Sequence, residues 1–189
     1  MTGTNEPAGD QPNASPAEAP ESDVPDRLAV PLPRDAVALV CSDLHLGQVA
    51  SAASARLERD LVARLERWTG PGVVVLNGDT FELWGEPDGT VSGALDAHPA
   101  LTAALRGFTG VRGRQLVVVV GNHDAPITWD QLSAATVRER LGGRCALSVD
   151  LRFDIPAGPR VVRCEHGHAF DRANALRDPR NPLDSPLGQ

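Results

Sequence analysis

Three short apolar runs, separated by segments with helical spacing, constrain the fold of this chain more than any other feature. They cover residues 37–42, 73–76 and 116–120, and the last is an unbroken run of valine after Leu116. Continuous apolar runs of this length are typical of strands that are buried on both faces. Each intervening helix must cross over the sheet to reach the next strand. The pattern predicts an α/β fold with a mainly parallel sheet covered on both faces.

The helices predicted between and after these strands have recognisable ends. Leucines and a tryptophan recur at helical spacing over residues 57–68, before a Gly-Pro-Gly sequence stops the pattern. A second helix is predicted over residues 95–105 and a third over residues 129–141. Residues 146–153 and 160–164 flank a Pro-Ala-Gly-Pro sequence and predict a hairpin. We expect this hairpin to begin a second, antiparallel sheet.

The two ends of the chain differ from its middle. Residues 1–35 are rich in Pro, Ala and Glu and contain few large apolar side chains, so we predict a disordered tail. The folded domain is then predicted over residues 36–189. Residues 177–189 are irregular and proline-containing, and they stop without a closing strand or helix cap. We therefore expect the domain to be incomplete at its C-terminus.

Charge and cysteine content narrow the functional classes. A formal net charge of -7 and a pI near 5.2 disfavour a nucleic-acid partner, because binding to phosphate backbones requires clustered Lys and Arg. We expect a small-molecule substrate. The three cysteines show no C-x-x-C spacing and predict neither a disulfide framework nor a thiolate zinc site. Met1 is followed by a polar, proline-rich stretch without an apolar h-region, and no apolar run reaches about 18 residues, so we expect a cytoplasmic protein without a membrane span. The oligomeric state stays open.

Polar clusters directly follow four of the predicted strands. They are Asp43-Leu44-His45, Asn77-Gly78-Asp79, Gly121-Asn122-His123-Asp124 and Glu165-His166-Gly167-His168. Because open parallel sheets bind ligands at the carboxyl ends of their strands, we expect these clusters to share one crevice. The first cluster also fits a turn aspartate beside a surface histidine, and the second fits an ordinary turn. The third is more informative, since a sheet has no need of four polar or permissive residues after a valine run.

The histidines favour a metal site. Three of the five, His45, His123 and His166, come directly after predicted strands. His98 precedes Pro99 at the start of a helix and needs no functional role. The role of His168 stays open, and we place it outside the predicted site.

The ordered clusters D-x-H, G-D, G-N-H-D and H-G-H resemble the motifs of the calcineurin-like metallophosphoesterase superfamily, over about residues 37–189. The resemblance implies a four-layer α/β/β/α sandwich. It also implies metal-dependent hydrolysis of phosphoester or phosphoanhydride bonds by a hydroxide activated between two divalent metal ions. Phe81, Glu82 and Trp84 after Asp79 are similar to the G-D-x-F-x-x-W pattern of the subgroup that includes the UDP-diacylglucosamine pyrophosphatases.

The resemblance assigns the metal ligands residue by residue. It implies that Asp43 and His45 bind one metal, that Asp79 bridges both metals, and that Asn122 and His166 bind the second. The donor atoms are oxygen and nitrogen without thiolate, which favours Mn, Fe or Zn.

The resemblance also makes His123 the catalytic histidine and implies that Asp124 orients its ring. The final G-H-x-H motif of the family is absent, because Phe170 stands where the second histidine is expected after His168. The alternative function is therefore a catalytically impaired metal-binding or scaffold domain of the same fold. Degenerate members are expected to lose His123 or Asp79, and both are present. A nucleotide-binding domain would need a glycine-rich phosphate loop after the first strand, and none is there.

Overall fold

The computed structural model describes residues 24–84 and 89–184, which form a mixed α/β fold with two sheets. The strands are β1 Leu28–Leu32, β2 Val37–Cys41, β3 Gly72–Asn77, β4 Arg114–Val119, β5 Arg144–Ala146, β6 Ser148–Phe153 and β7 Arg160–Glu165. The helices are α1 Ala52–Glu66, α2 Val91–Ala97, α3 Pro99–Thr109 and α4 Gln131–Thr136. The first sheet is entirely parallel with the order β2-β3-β4-β5, and the second has the order β1-β6-β7.

The first sheet is covered on both faces, as predicted, but by different layers. Its strands follow one another in chain order, so right-handed crossovers place the helices on a single face. On that face Leu76 belongs to the same apolar cluster as Leu65 of α1 and Phe108 of α3. On the other face Val75 packs with Val30 and other apolar residues of the second sheet. The described residues thus form a helix layer, a parallel sheet and a second sheet.

The N-terminal boundary differs from the prediction. Residues 28–32 were predicted to belong to a disordered tail up to residue 35, yet they form β1, and Val24 is already buried. β1 runs parallel to β6, with Val30 opposite Leu151. The second sheet is therefore mixed, which corrects the prediction that it is antiparallel, although the predicted hairpin of β6 and β7 is confirmed. The predicted tail over residues 1–23 lies outside the described residues.

Two predicted helices are divided in the structure. The helix predicted over residues 95–105 is two helices, α2 and α3, which meet at Pro99, the first residue of α3. Proline lacks the N–H that would continue α2 and is well suited to a first helical position. The helix predicted over residues 129–141 begins after its cap Asp130 and ends in a π-helical turn, Val137–Leu141.

His98 fastens the loop after β2 to the helix layer. Its ring is 1% exposed, with Nδ1 2.5 Å from a carboxylate oxygen of Glu58 in α1 and Nε2 3.1 Å from the carbonyl oxygen of Gly47. Gly47 lies two residues after His45, so this contact supports the loop that carries two of the predicted ligands. The role of His98 is structural.

Replacing His98 with alanine should lower the free energy of unfolding by about 1–3 kcal/mol, because the Glu58 carboxylate and the Gly47 carbonyl lose their buried partner. Urea denaturation measures this difference. Arg112→Ala is the control, because Arg112 is exposed and its replacement should leave the free energy of unfolding unchanged. Equal midpoints for the two variants would show that His98 does not fasten the loop.

Candidate metal centre

The loops after β2 and β3 run side by side beyond the ends of their strands. The backbone N–H of Asp43 donates to the carbonyl of Gly78 (3.1 Å), and that of His45 donates to the carbonyl of Asp79 (2.9 Å). An isolated parallel bridge between Leu46 and Phe81 continues the register. These bonds bring the first two polar clusters to one edge of the sheet, as the sequence predicted.

Three predicted ligands have a strained backbone. Asp43, His45 and Asp79 have φ angles of 57°, 46° and 51°, and they are the non-glycine residues with positive φ in the described part of the chain. Left-handed conformations cost non-glycine residues on the order of 1–3 kcal/mol each and cluster at functional sites. The coincidence of strain with the predicted ligands favours a functional centre at this edge.

Asp79 lies at the middle of the centre and is buried. One carboxylate oxygen accepts a hydrogen bond from the backbone N–H of His123 (3.0 Å), and the other lies 3.2 Å from Nε2 of His166. Burial alone would raise the pKa of Asp79, but the hydrogen bonds from His166 and His123 outweigh it and hold this pKa below its usual range. Asp79 is therefore a carboxylate anion with both oxygens turned toward the other clusters.

The surroundings of His166 favour the protonated form of its ring. Its hydrogen bond to Asp79 raises the pKa of His166 to about 9, although burial acts in the opposite direction. The other ring nitrogen, Nδ1, lies 3.1 Å from the carbonyl oxygen of Asn77, which also favours the protonated ring. A cation bound beside Asp79 must displace this proton, because a ligating imidazole nitrogen is unprotonated.

Metal affinity should consequently rise as the pH increases toward about 9, by up to about tenfold per pH unit, because protonated His166 must release one proton to bind a metal ion and this competition ends once the ring is neutral. Calorimetric titration with Mn²⁺ at several pH values, in buffers of different ionisation enthalpy, measures both affinity and proton release. A pH-independent affinity with no released proton would contradict this role for His166.

Glu82 holds two histidine rings at once. Its carboxylate oxygens lie 2.9 Å from Nδ1 of His45 and 2.8 Å from Nδ1 of His123, and the two rings meet edge to face at 4.7 Å. A carboxylate only accepts, so Nδ1 of each ring donates, and Nε2 is left for a metal ion or a substrate. The backbone N–H of Glu82 donates to the carbonyl of Leu46 (3.1 Å), which fixes its position. The sequence analysis did not include Glu82 in the site; its place three residues after Asp79 was the available signal.

Asp124 does not orient the ring of His123, which corrects the role implied by the resemblance. Its side chain is fully buried and accepts hydrogen bonds from the backbone N–H of Thr80 (2.8 Å) and of Gly121 (2.5 Å). Burial raises the pKa of Asp124 to about 6 against the effect of these bonds. Asp124 joins the loop after β4 to the loop after β3, and the ring of His123 is held by Glu82.

The polar clusters surround a single cavity of about 540 Å³. All five predicted metal ligands and His123 line it, together with His168 and residues of the loop that follows: Asp43, His45, Asp79, Asn122, His123, His166, His168, Asp171 and Asn174. The glycines of the motifs allow this close approach. A Cβ atom at Gly121 would lie 2.2 Å from a carboxylate oxygen of Asp79, and one at Gly78 would lie 2.2 Å from Cγ of His166.

The donor atoms fit a divalent cation. Asp43, Asp79 and His166 offer donor atoms within 4.8 Å of one another, and His45, Glu82 and His123 form a second such group. Carboxylate oxygen and imidazole nitrogen suit Zn, Fe and Mn. The first group contains three of the predicted ligands, whereas His45 belongs to the second group, with Glu82 and His123. Asn122 is 4% exposed and borders the same cavity.

Comparisons of the chain with protein-family models, with curated proteins and with solved structures found no match. The functional interpretation therefore depends on the residues of the cavity and their geometry. In residues 24–84 and 89–184, no helix has the length and apolar character needed to cross a bilayer.

Proposed function

We propose that this chain is a metal-dependent hydrolase of phosphoester or phosphoanhydride bonds, of the calcineurin-like metallophosphoesterase type, acting on a small-molecule substrate with two divalent metal ions. The observation that supports it best is that five predicted ligands and His123, taken from four separate loops, line one cavity at the carboxyl ends of the strands. The proposal includes the four-layer sandwich, of which the described residues supply a helix layer and two sheets.

The residues of the cavity have distinct tasks in this proposal. Asp43 and Asp79 provide negative charge, and His166 provides a nitrogen once its proton is lost. Asp79 is suited to the shared position, because its two oxygens already face different partners, His123 and His166. Bound metal ions would supply Lewis-acid charge for the phosphoryl oxygens and an activated water.

His123 is the proposed proton donor to the leaving oxygen. Its Nδ1 is held by Glu82, and its backbone N–H is held by Asp79, so both ring and main chain are fixed. Nε2 is thus the nitrogen that can present a proton at the cavity. Groups positioned in this way contribute about 10²- to 10⁴-fold to reaction rates.

Hydrolysis of p-nitrophenyl phosphate esters with added Mn²⁺ tests the proposal. We expect activity that requires metal and that falls about 10²- to 10⁴-fold in His123→Ala, with metal content and unfolding midpoint unchanged. Metal binding without hydrolysis of any ester would instead favour the impaired or scaffold domain. Activity that chelators leave unchanged would contradict both functions.

A further inference from the structure

A second cavity, of about 250 Å³, adjoins the metal cavity, and His166 and His168 line both. The rest of its wall contains three polar residues, Asp26, Ser148 and Glu165, and a larger apolar part that comes from the ends of β4 and β5 and from the segment after β7. These apolar residues are Val120, Leu147, Ala169, Leu176 and Pro179. An apolar cavity that shares a wall with a polar site is typical of a subsite for the organic part of a ligand.

The outer wall of this second cavity is firmly attached. A guanidinium nitrogen of Arg180 donates to the carboxylate of Asp26 (2.6 Å) and to the carbonyl of Val24 (3.0 Å). The hydroxyl of Thr128 donates to the carbonyl of Pro179. These bonds hold the segment that contains Leu176 against the body of the domain.

His168 offers the polar group at the boundary between the two cavities. Both ring nitrogens of His166 are engaged, Nε2 by Asp79 and Nδ1 by the carbonyl of Asn77. Nδ1 of His168, by contrast, is buried and has no hydrogen-bond partner among the described residues. Buried polar atoms are nearly always paired, so this nitrogen points to a ligand group or a water molecule at the boundary.

We propose that the second cavity binds the non-leaving ester group of a phosphodiester, and that this group is small and apolar, such as one aromatic ring. The proposal rests on the proposed function. His123, the proposed proton donor to the leaving oxygen, lines the metal cavity but is not among the residues that line the second cavity, which separates the group held there from the leaving group. The volume lies below the range of about 300–1,000 Å³ typical of pockets for drug-sized ligands, which limits the group to a small one.

Two esters with the same leaving group test the proposal. Bis(p-nitrophenyl) phosphate and p-nitrophenyl phosphate both release p-nitrophenolate, and only the diester has a second ring for the cavity. Leu176→Phe places a larger side chain in the wall of the cavity. Ala169→Phe does the same at an exposed residue, where a larger side chain disturbs folding less. Leu132→Phe is the matched control, because Leu132 is 74% exposed on α4.

We expect kcat/KM for the diester to fall about tenfold in both cavity variants, equivalent to about 1.4 kcal/mol, while the monoester changes less than about twofold. Leu132→Phe should change neither. Equal losses for both esters, or no loss for the diester, would overturn the proposal. If Leu176→Phe does not fold, Ala169→Phe alone decides the result.

A measurement without metal separates this inference from the proposed function. Phenol added to the metal-free protein should shift the methyl NMR resonances of Leu176 but not those of Leu132. Absence of a shift at Leu176 would overturn the subsite. Failure of the wild-type chain to hydrolyse either ester would refute the proposed function and the diester assignment, while the phenol result would still decide whether the cavity binds an apolar ring.

Discussion

Replacing Asp79 with asparagine should abolish stoichiometric metal binding and lower hydrolysis by more than about 100-fold, which exceeds the usual effect of losing an outer partner of a metal ligand. Asp79 contacts residues of two other loops: one oxygen accepts a hydrogen bond from the backbone N–H of His123, and the other lies beside Nε2 of His166. Asparagine keeps the shape but removes the negative charge and one acceptor oxygen. The protonated ring of His166 then loses the anion that holds it.

Metal content after dialysis and the rate of p-nitrophenyl ester hydrolysis measure the two effects of Asp79→Asn. Asp96→Asn is the matched control, because it makes the same change of charge at a side chain that is 68% exposed and pairs with Arg140. We expect the control to retain metal and activity. If Asp79→Asn bound as much metal as Asp96→Asn, Asp79 would not be a shared ligand.

Glu82→Ala should lower kcat/KM by about 10²-fold or more, because one carboxylate fixes Nδ1 of both His45 and His123. Glu82→Gln keeps one acceptor oxygen but presents an amide N–H₂ to the other ring, so an intermediate loss is expected. For Glu82→Ala, kcat/KM should fall further with phenyl esters than with p-nitrophenyl esters, since a poorer leaving group depends more on the proton from His123.

A double-mutant cycle shows whether Glu82 acts through His123. If it does, Glu82→Ala should cost much less in a His123→Ala background than in the wild-type chain, because residues that act as a unit are not additive. If Glu82→Ala still lowers kcat/KM in the His123→Ala background, the remaining loss reports the contact between Glu82 and His45, and metal binding should also be weaker. Full additivity with unchanged metal affinity would show that Glu82 serves neither histidine.

The parallel sheet could be predicted from the sequence because its central strands are buried on both faces. Val73–Leu76 and Leu116–Val120 are continuous apolar runs made mostly of valine, and their short length and β-branched composition favour a buried strand over a buried helix. The polar clusters that end these runs locate the carboxyl edge of the sheet. The helix layer and the position of the site were thus accessible from local pattern alone.

β1 could not be predicted from local pattern. Leu28–Leu32 contains Pro31, and prolines on both sides make the segment similar in composition to the preceding residues. Proline is tolerated there because β1 is the edge strand of the second sheet. Its partner β6 lies about 120 residues away in the chain, with Leu28 opposite Val149, and no short-range signal specifies that pairing.

Within the site, the sequence identified the residues that approach each other but not all of their contacts. The roles of Glu82 and Asp124 depend on the direction of each carboxylate. Asp124 is enclosed by backbone N–H groups of two loops, and Glu82 lies beneath two histidine rings that come from different loops. The spacing of the motifs places Glu82 and Asp124 near His123, but it does not specify which carboxylate accepts the hydrogen bond from the ring.

The metal stoichiometry of the wild-type chain tests the central claim most directly. Equilibrium dialysis against Mn²⁺, followed by elemental analysis of the same sample that is assayed for ester hydrolysis, should give two ions per chain and metal-dependent activity. Asp79→Asn provides the baseline for metal bound elsewhere. Metal content no higher than that baseline, with no hydrolysis of either p-nitrophenyl ester, would contradict the proposed metal centre.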